Sequence, residues 1–131
     1  MKMWMFYDFL DSRLNNEIRE WLDGLPDKAS AKIDARLLLM RSMIVWPEQY
    51  VSALVGWPDL MELKVVYAGN QFRLIGFYGP QRKEFTLLLG TIEKNKIPRR
   101  TLSVADRNGK TVIADRRRIC EHIFAKGPAL N

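Results

Sequence analysis

The stretch LMELKVVYAGNQFRLIGFYGPQRKEFTLLLGTI, residues 60–92, decides the fold. LMELKVVYA (60–68), QFRLIGFY (71–78) and KEFTLLLGTI (83–92) are rich in β-branched, aromatic and aliphatic residues. Between them GN (69–70) and GPQR (79–82) are turn sequences. Loops this short force neighbouring strands to run antiparallel, so the spacing predicts a three-stranded meander. In the middle strand Phe72, Leu74 and Gly76 alternate with Arg73, Ile75 and Phe77, which puts the two sets on opposite faces. Arg73 therefore emerges from a half-apolar face, an unusual place for a cation.

Upstream, MWMFYDFL (3–10) reads as a first strand. NNEIREWLDGLP offers Asn15 or Asn16 as a helix cap, with Ile18, Trp21, Leu22 and Leu25 on one stripe and Gly24 and Pro26 to end it. DKASAKIDARLLLMRSMIVW predicts a second helix capped by Asp27, with Ala29, Ile33, Leu37, Met40 and Ile44 on its inner side and Pro47 as its stop. The pair forms an αα-hairpin, and residues 46–59 read as a connector. Downstream, Pro98 suits the start of a short helical segment, RRTLSVADR, ending near Asn108-Gly109. KTVIADRRRICEHIF then predicts a terminal helix burying Val112, Ile113, Ile119 and Ile123. The expectation is one α+β domain over residues 1–131: an N-terminal strand, an αα-hairpin, a three-stranded antiparallel meander and a C-terminal helical segment. Helices would cover one face of the sheet and leave the other free.

An apolar content of 47% in 131 residues suffices for a core without disulfides or a structural metal. Cys120 is the single cysteine and cannot form an internal disulfide, which fits a reducing, cytoplasmic setting. The apolar patch at the N-terminus is interrupted by Asp8 and Asp11, and no run approaches the roughly 20 residues of a membrane span. Charge is uneven. Residues 1–59 carry 7 Lys/Arg against 9 Asp/Glu, and residues 60–131 carry 14 against 6, together giving the net +6. That asymmetry points the C-terminal half toward a polyanion or an acidic protein.

Enzymatic signatures are absent: there is no P-loop, GxGxxG, GxSxG or HExxH. His122 is the only histidine, and no serine stands out as its partner in a triad. Asp106, Asp115 and Glu121 lie among arginines and read as ion-pair partners, so neither a metal nor a cofactor is expected. The basic side chains of the sheet remain. Lys64 lies on the first meander strand, Arg73 on the second and Lys94 just past the third, followed by Lys96, Arg99 and Arg100 around Pro98. If Lys64, Arg73 and Lys94 share a face, their repulsion costs stability and is more easily understood if an anion sits there. The alternative is that they are rim cations that discourage edge-to-edge pairing.

Met61-Glu62-Leu63-Lys64, Phe72-Arg73-Leu74-Ile75, Leu87-Leu88-Leu89-Gly90 and Glu93-Lys94 before Pro98 form an ordered series across residues 57–105. That series resembles the core of the RelE/HigB (RelE/ParE superfamily) toxins, close to their phage-derived, Gp49-like branch. The upstream EWLDGLPDKASAKI is similar to the family's helical hairpin. The resemblance implies a RelE/ParE-like fold and a toxin of a toxin–antitoxin pair that cleaves messenger RNA at the ribosome without a metal. It assigns Arg73, Lys64 and Lys94 to phosphate binding and charge stabilisation. Lys96, Arg99 and Arg100 would hold RNA; Arg116 and Arg117, in a basic segment that extends past the family pattern, either hold RNA or are simply solvated, and Tyr67, Phe77 or Tyr78 either stack a base or belong to the core. The implied partners are a cognate antitoxin, helix-turn-helix in type, with the ribosome and its mRNA, and no membrane. The chain departs from the pattern in having Lys64 for an arginine and Glu93 for a lysine. It also lacks the terminal tyrosine, leaving His122 for proton transfer or as an exposed surface residue. A non-enzymatic module of the same fold, a gyrase inhibitor or an inactive prophage remnant, is the alternative.

Overall fold

A computed structural model describes residues 3–124. In chain order the elements are β1 (Met5–Phe9), α1 (Glu17–Asp23), α2 (Asp27–Arg41), β2 (Val51–Ala53), β3 (Met61–Tyr67), β4 (Asn70–Tyr78), β5 (Glu84–Ile92), α3 (Arg99–Ala114) and β6 (Ile119–Glu121). Three helices accompany one six-stranded sheet of order β2-β3-β4-β5-β1-β6. β3, β4 and β5 pair consecutively and antiparallel, whereas β1 runs parallel to β5 and lies between it and β6. No helix among the described residues is long and apolar enough to cross a membrane.

Local chemistry accounts for the helical hairpin. The Asn16 side chain accepts from the Arg19 amide at 2.9 Å, Glu17 and Glu20 sit at the positive end of α1, and Gly24 closes it. Asp27 is the first residue of α2 rather than its cap, since Pro26 holds the flanking position. α2 also stops earlier than expected, at Arg41. The chain turns at Ser42, Ile44 is exposed rather than inward, and Trp46 folds back to donate its indole N–H to the Met40 carbonyl at 2.7 Å. Ile18, Leu22, Ile33, Leu37, Met40 and Trp46 then pack on Leu63, Val65, Phe72, Leu74 and Leu87, one face of the sheet.

The other face is not free. α3 lays Leu102, Ala105 and Val112 on Ile75, Phe77 and Leu88. Asn108-Gly109, expected to end a helix, lies inside this one: a Cβ on Gly109 would come within 3.3 Å of Leu88 Cδ1, so glycine marks close packing rather than a stop. A bulge at Ile75/Gly76 shifts the β4–β5 register and turns Leu88 toward α3. α3 ends at Ala114, and the segment expected to continue as helix becomes β6. Asp115 Oδ1 accepts from the Arg117 amide at 3.1 Å, a local bond that competes with the helical one. Ile119–Glu121 then pair with β1. Ile113 and Ile123, assigned to a buried side, are exposed. β2, which the connector reading missed, adds three residues beside Met61–Leu63. Beyond its end, Lys32 and Arg36 of α2 donate to the Val66 and Lys64 carbonyls and cover the edge of β3.

Candidate functional site

Leu63, Val65, Phe72 and Leu74 point to the helical hairpin, so Glu62, Lys64 and Arg73 point to the opposite face. α3 covers only the part of that face around Ile75, Phe77 and Leu88, which leaves the Lys64–Arg73 end open. Lys64 and Arg73 are direct cross-strand partners, and Thr91 stands opposite Arg73 on β5. Such partners place their Cβ atoms about 4.5–5.5 Å apart. Two of the three expected cations therefore meet at one level of one face.

They do not meet unshielded. Arg73 Nη1 lies 3.0 Å from Glu62 Oε2, with the two side chains 12% and 14% exposed, and Nη2 donates to Gln71 Oε1 at 2.6 Å. Glu62 thus offsets the repulsion between Lys64 and Arg73. Sequence reasoning did not place this carboxylate, because pairing Glu62 with Arg73 depends on a register that spacing alone leaves open. The guanidinium is not saturated: its Nε is buried without an acceptor, and Glu62 Oε2 is in ionic contact without an aligned hydrogen bond. Beside the cluster, a cavity of about 280 Å³ is lined by Glu48, Gln49, Tyr50, Ser52, Glu62 and Lys64. Tyr50, whose ring carries the Arg36 guanidinium at 4.3 Å and packs on the hairpin core, is its aromatic wall.

Lys94 and Lys96 are exposed in the loop between β5 and α3, and Glu93 there accepts from Thr91 Oγ1 at 3.2 Å. Arg99 and Arg100 open α3, whose first turn has no acid, and Arg99 lies 5.7 Å above the Trp57 ring. Two cations at the positive end of a helix are unfavourable to the helix and favourable to an anion. Arg116 and Arg117 are elsewhere. They precede β6, three strands or about 14 Å from β4, and Arg117 is paired with Asp115 at 3.0 Å. Of the aromatic candidates, Phe77 is buried beneath α3, Tyr67 packs on the hairpin core and Tyr78 stacks on Trp46.

Residues 20–110 match the family model of phage-derived protein Gp49-like (DUF891). The chain belongs to that family. Comparison with curated proteins and with solved structures gave no match. The Gp49-like segment contains Glu62, Lys64, Arg73, Lys94 and most of α3, whereas β1 and β6 lie outside it.

Those two flanking strands bring in His122, which is neither exposed nor near Arg73. It is 3% exposed, on the hairpin side, with Nδ1 2.7 Å from Asp8 Oδ1 and Nε2 3.0 Å from Asp34 Oδ1. Burial by itself pushes the imidazole down, but the hydrogen bonds to Asp34 and Asp8 outweigh it and hold the group up at about 8. At neutral pH the ring is an imidazolium donating from both nitrogens. The carboxylates sit on opposite edges of the ring, and Asn16 also donates to Asp8, at 2.9 Å. His122 joins β1, α2 and the end of β6, a clamp rather than a proton shuttle for the distant cluster. Its partners lie 114 and 88 residues away in the chain, a separation that carries no sequence signal.

Proposed function

We propose that this Gp49-like protein is the toxin of a toxin–antitoxin pair and that it cleaves messenger RNA at the ribosome by 2′-hydroxyl attack on the adjacent phosphate. The observation that carries the reading is the Glu62–Lys64–Arg73 cluster on the uncovered end of a sheet face. A metal-free cleavage of this kind needs a base to take the 2′-hydroxyl proton and cations to stabilise the charge that builds on the phosphoryl oxygens. Glu62 is the carboxylate in place for the first task. Arg73, aligned by Glu62 and Gln71, presents donors to the phosphate, and Lys64 adds a point charge beside it. The requirement for a 2′-hydroxyl restricts the substrate to RNA. In this reading the exposed Lys94, Lys96, Arg99 and Arg100 contact the RNA backbone. The leaving 5′-oxygen takes its proton from solvent, since His122 is sealed away.

The Arg73–Glu62 contact also favours a second reading. An arginine already neutralised by its own carboxylate suits a non-enzymatic module, such as a gyrase inhibitor or an inactive remnant. Inducing the wild type and Arg73→Ala in cells and mapping mRNA ends separates the two. Growth arrest with codon-linked cleavage that Arg73→Ala loses is the expected result. Arrest with intact mRNA assigns the protein to the gyrase type, and normal growth with intact mRNA assigns it to the inactive type.

A further inference from the structure

The outer side of α2 has no partner among the described residues. Its inner side is fixed by Ala29, Ile33, Leu37 and Met40. Outside, Ala31, Ala35, Leu38 and Leu39 recur at i, i+4, i+7 and i+8, one continuous stripe on a helix. Leu38 and Leu39 are 44% and 49% exposed, and Ile44 and Val45, in the turn that leaves the helix, are 68% and 76% exposed. Met43 and Trp46 pack inward on either side of that turn, so the core itself holds Ile44 and Val45 outward. Four large aliphatic side chains exposed within eight residues mark an interaction surface rather than scattered surface apolars.

Charge selects the occupant. Lys28, Lys32 and Arg36 run beside the stripe at four-residue intervals, with Lys32 and Arg36 held in place by the β3 carbonyls. The helix has two acids: Asp27 at its first position, and Asp34, which is buried against His122. A second copy would set lysine against lysine in a chain of net charge +6. An acidic amphipathic helix satisfies both stripes. Its aliphatic seam lies along Ala31–Leu39, where the two alanines allow close backbone approach, and its carboxylates reach Lys28 and Lys32.

We propose that the outer face of α2, extended by Ile44 and Val45, docks an acidic amphipathic helix of a partner protein. The inference deepens the partner half of the function above and rests on it only for naming that partner an antitoxin. Because α2 covers the sheet face opposite Lys64 and Arg73, the docked helix leaves the phosphate site uncovered. The test pans full-length protein against a displayed library of amphipathic helices with a fixed aliphatic seam and flanking positions randomised among Glu, Gln and Lys. Glu-flanked helices are expected to be enriched at least tenfold over Lys-flanked ones. The selected peptide should lose tenfold or more in affinity on Leu38→Glu/Leu39→Glu, and Lys28→Glu/Lys32→Glu should select lysine-flanked helices instead. No enrichment, or undiminished binding to the double leucine variant with its circular dichroism unchanged, overturns the proposal. A concentration-dependent dimer that the same variant dissociates also overturns it, and assigns the face to a second copy. Docking that persists in a protein that leaves mRNA intact sinks the ribonuclease reading alone.

Discussion

Two charged clusters occupy opposite faces of this sheet, and they are built differently. Around His122 every charge is sealed in and answered: two carboxylates bracket one imidazolium, and an amide from Asn16 supports one of them. Around Arg73 the paired side chains are mostly buried, one buried guanidinium nitrogen has no acceptor, and an exposed lysine stands beside it. Complete satisfaction suits a group that holds the fold, whereas the Arg73 cluster leaves a buried donor unanswered beside an exposed lysine.

The comparison breaks most sharply at His122. His122→Ala removes the cation shared by the buried Asp8 and Asp34, and losing one partner of a buried ionic cluster costs about 3–5 kcal/mol. Urea unfolding should show the loss. A cost under about 1 kcal/mol would mean that the clamp is not structural. Next comes Glu62→Gln, which keeps the shape beside Arg73 but removes the proposed base. Cleavage at mapped mRNA sites should fall by about 100-fold or more while the protein stays folded, and unchanged cleavage would remove Glu62 from the chemistry.

The pH response sharpens the contrast further. A folded-state value of about 8 against 6.5 unfolded makes the His122 contribution fully present below pH 6.5 and lost as pH rises through 8. The difference amounts to about 2 kcal/mol. Unfolding free energies at pH 6, 7, 8 and 9 should trace that decline, and His122→Asn should flatten it. The smallest effect belongs to Lys64→Ala, which should weaken RNA binding modestly and lower the magnitude of its salt slope by about 1. Arg117→Ala, tied to Asp115 three strands away, should leave that slope unchanged.

What the sequence made legible was local. Asn16 and Gly24 bound α1, strand alternation assigns Arg73 to the face away from Phe72 and Leu74, and the turns between β3, β4 and β5 are short. What it hid was contact between distant segments. The Glu62–Arg73 pair depends on cross-strand register, β2 and β6 are three-residue strands without enough pattern to announce themselves, and Gly109 imitates a helix stop while serving a packing need. His122 carried the largest surprise, because one histidine in a basic segment gives no hint of two aspartates folded in from far upstream.

The parallel pairing of β1 with β5 shapes how the molecule is made. β1 precedes every other described element, yet its neighbours β5 and β6 are translated only after both hairpin helices and strands β2 to β4. Through that interval a nascent polypeptide trails a lone apolar segment, and its second adjoining strand, β6, is translated after every other described element. Completion of the sheet therefore waits for β6, so the first and last described strands of the chain are locked side by side in a single late step.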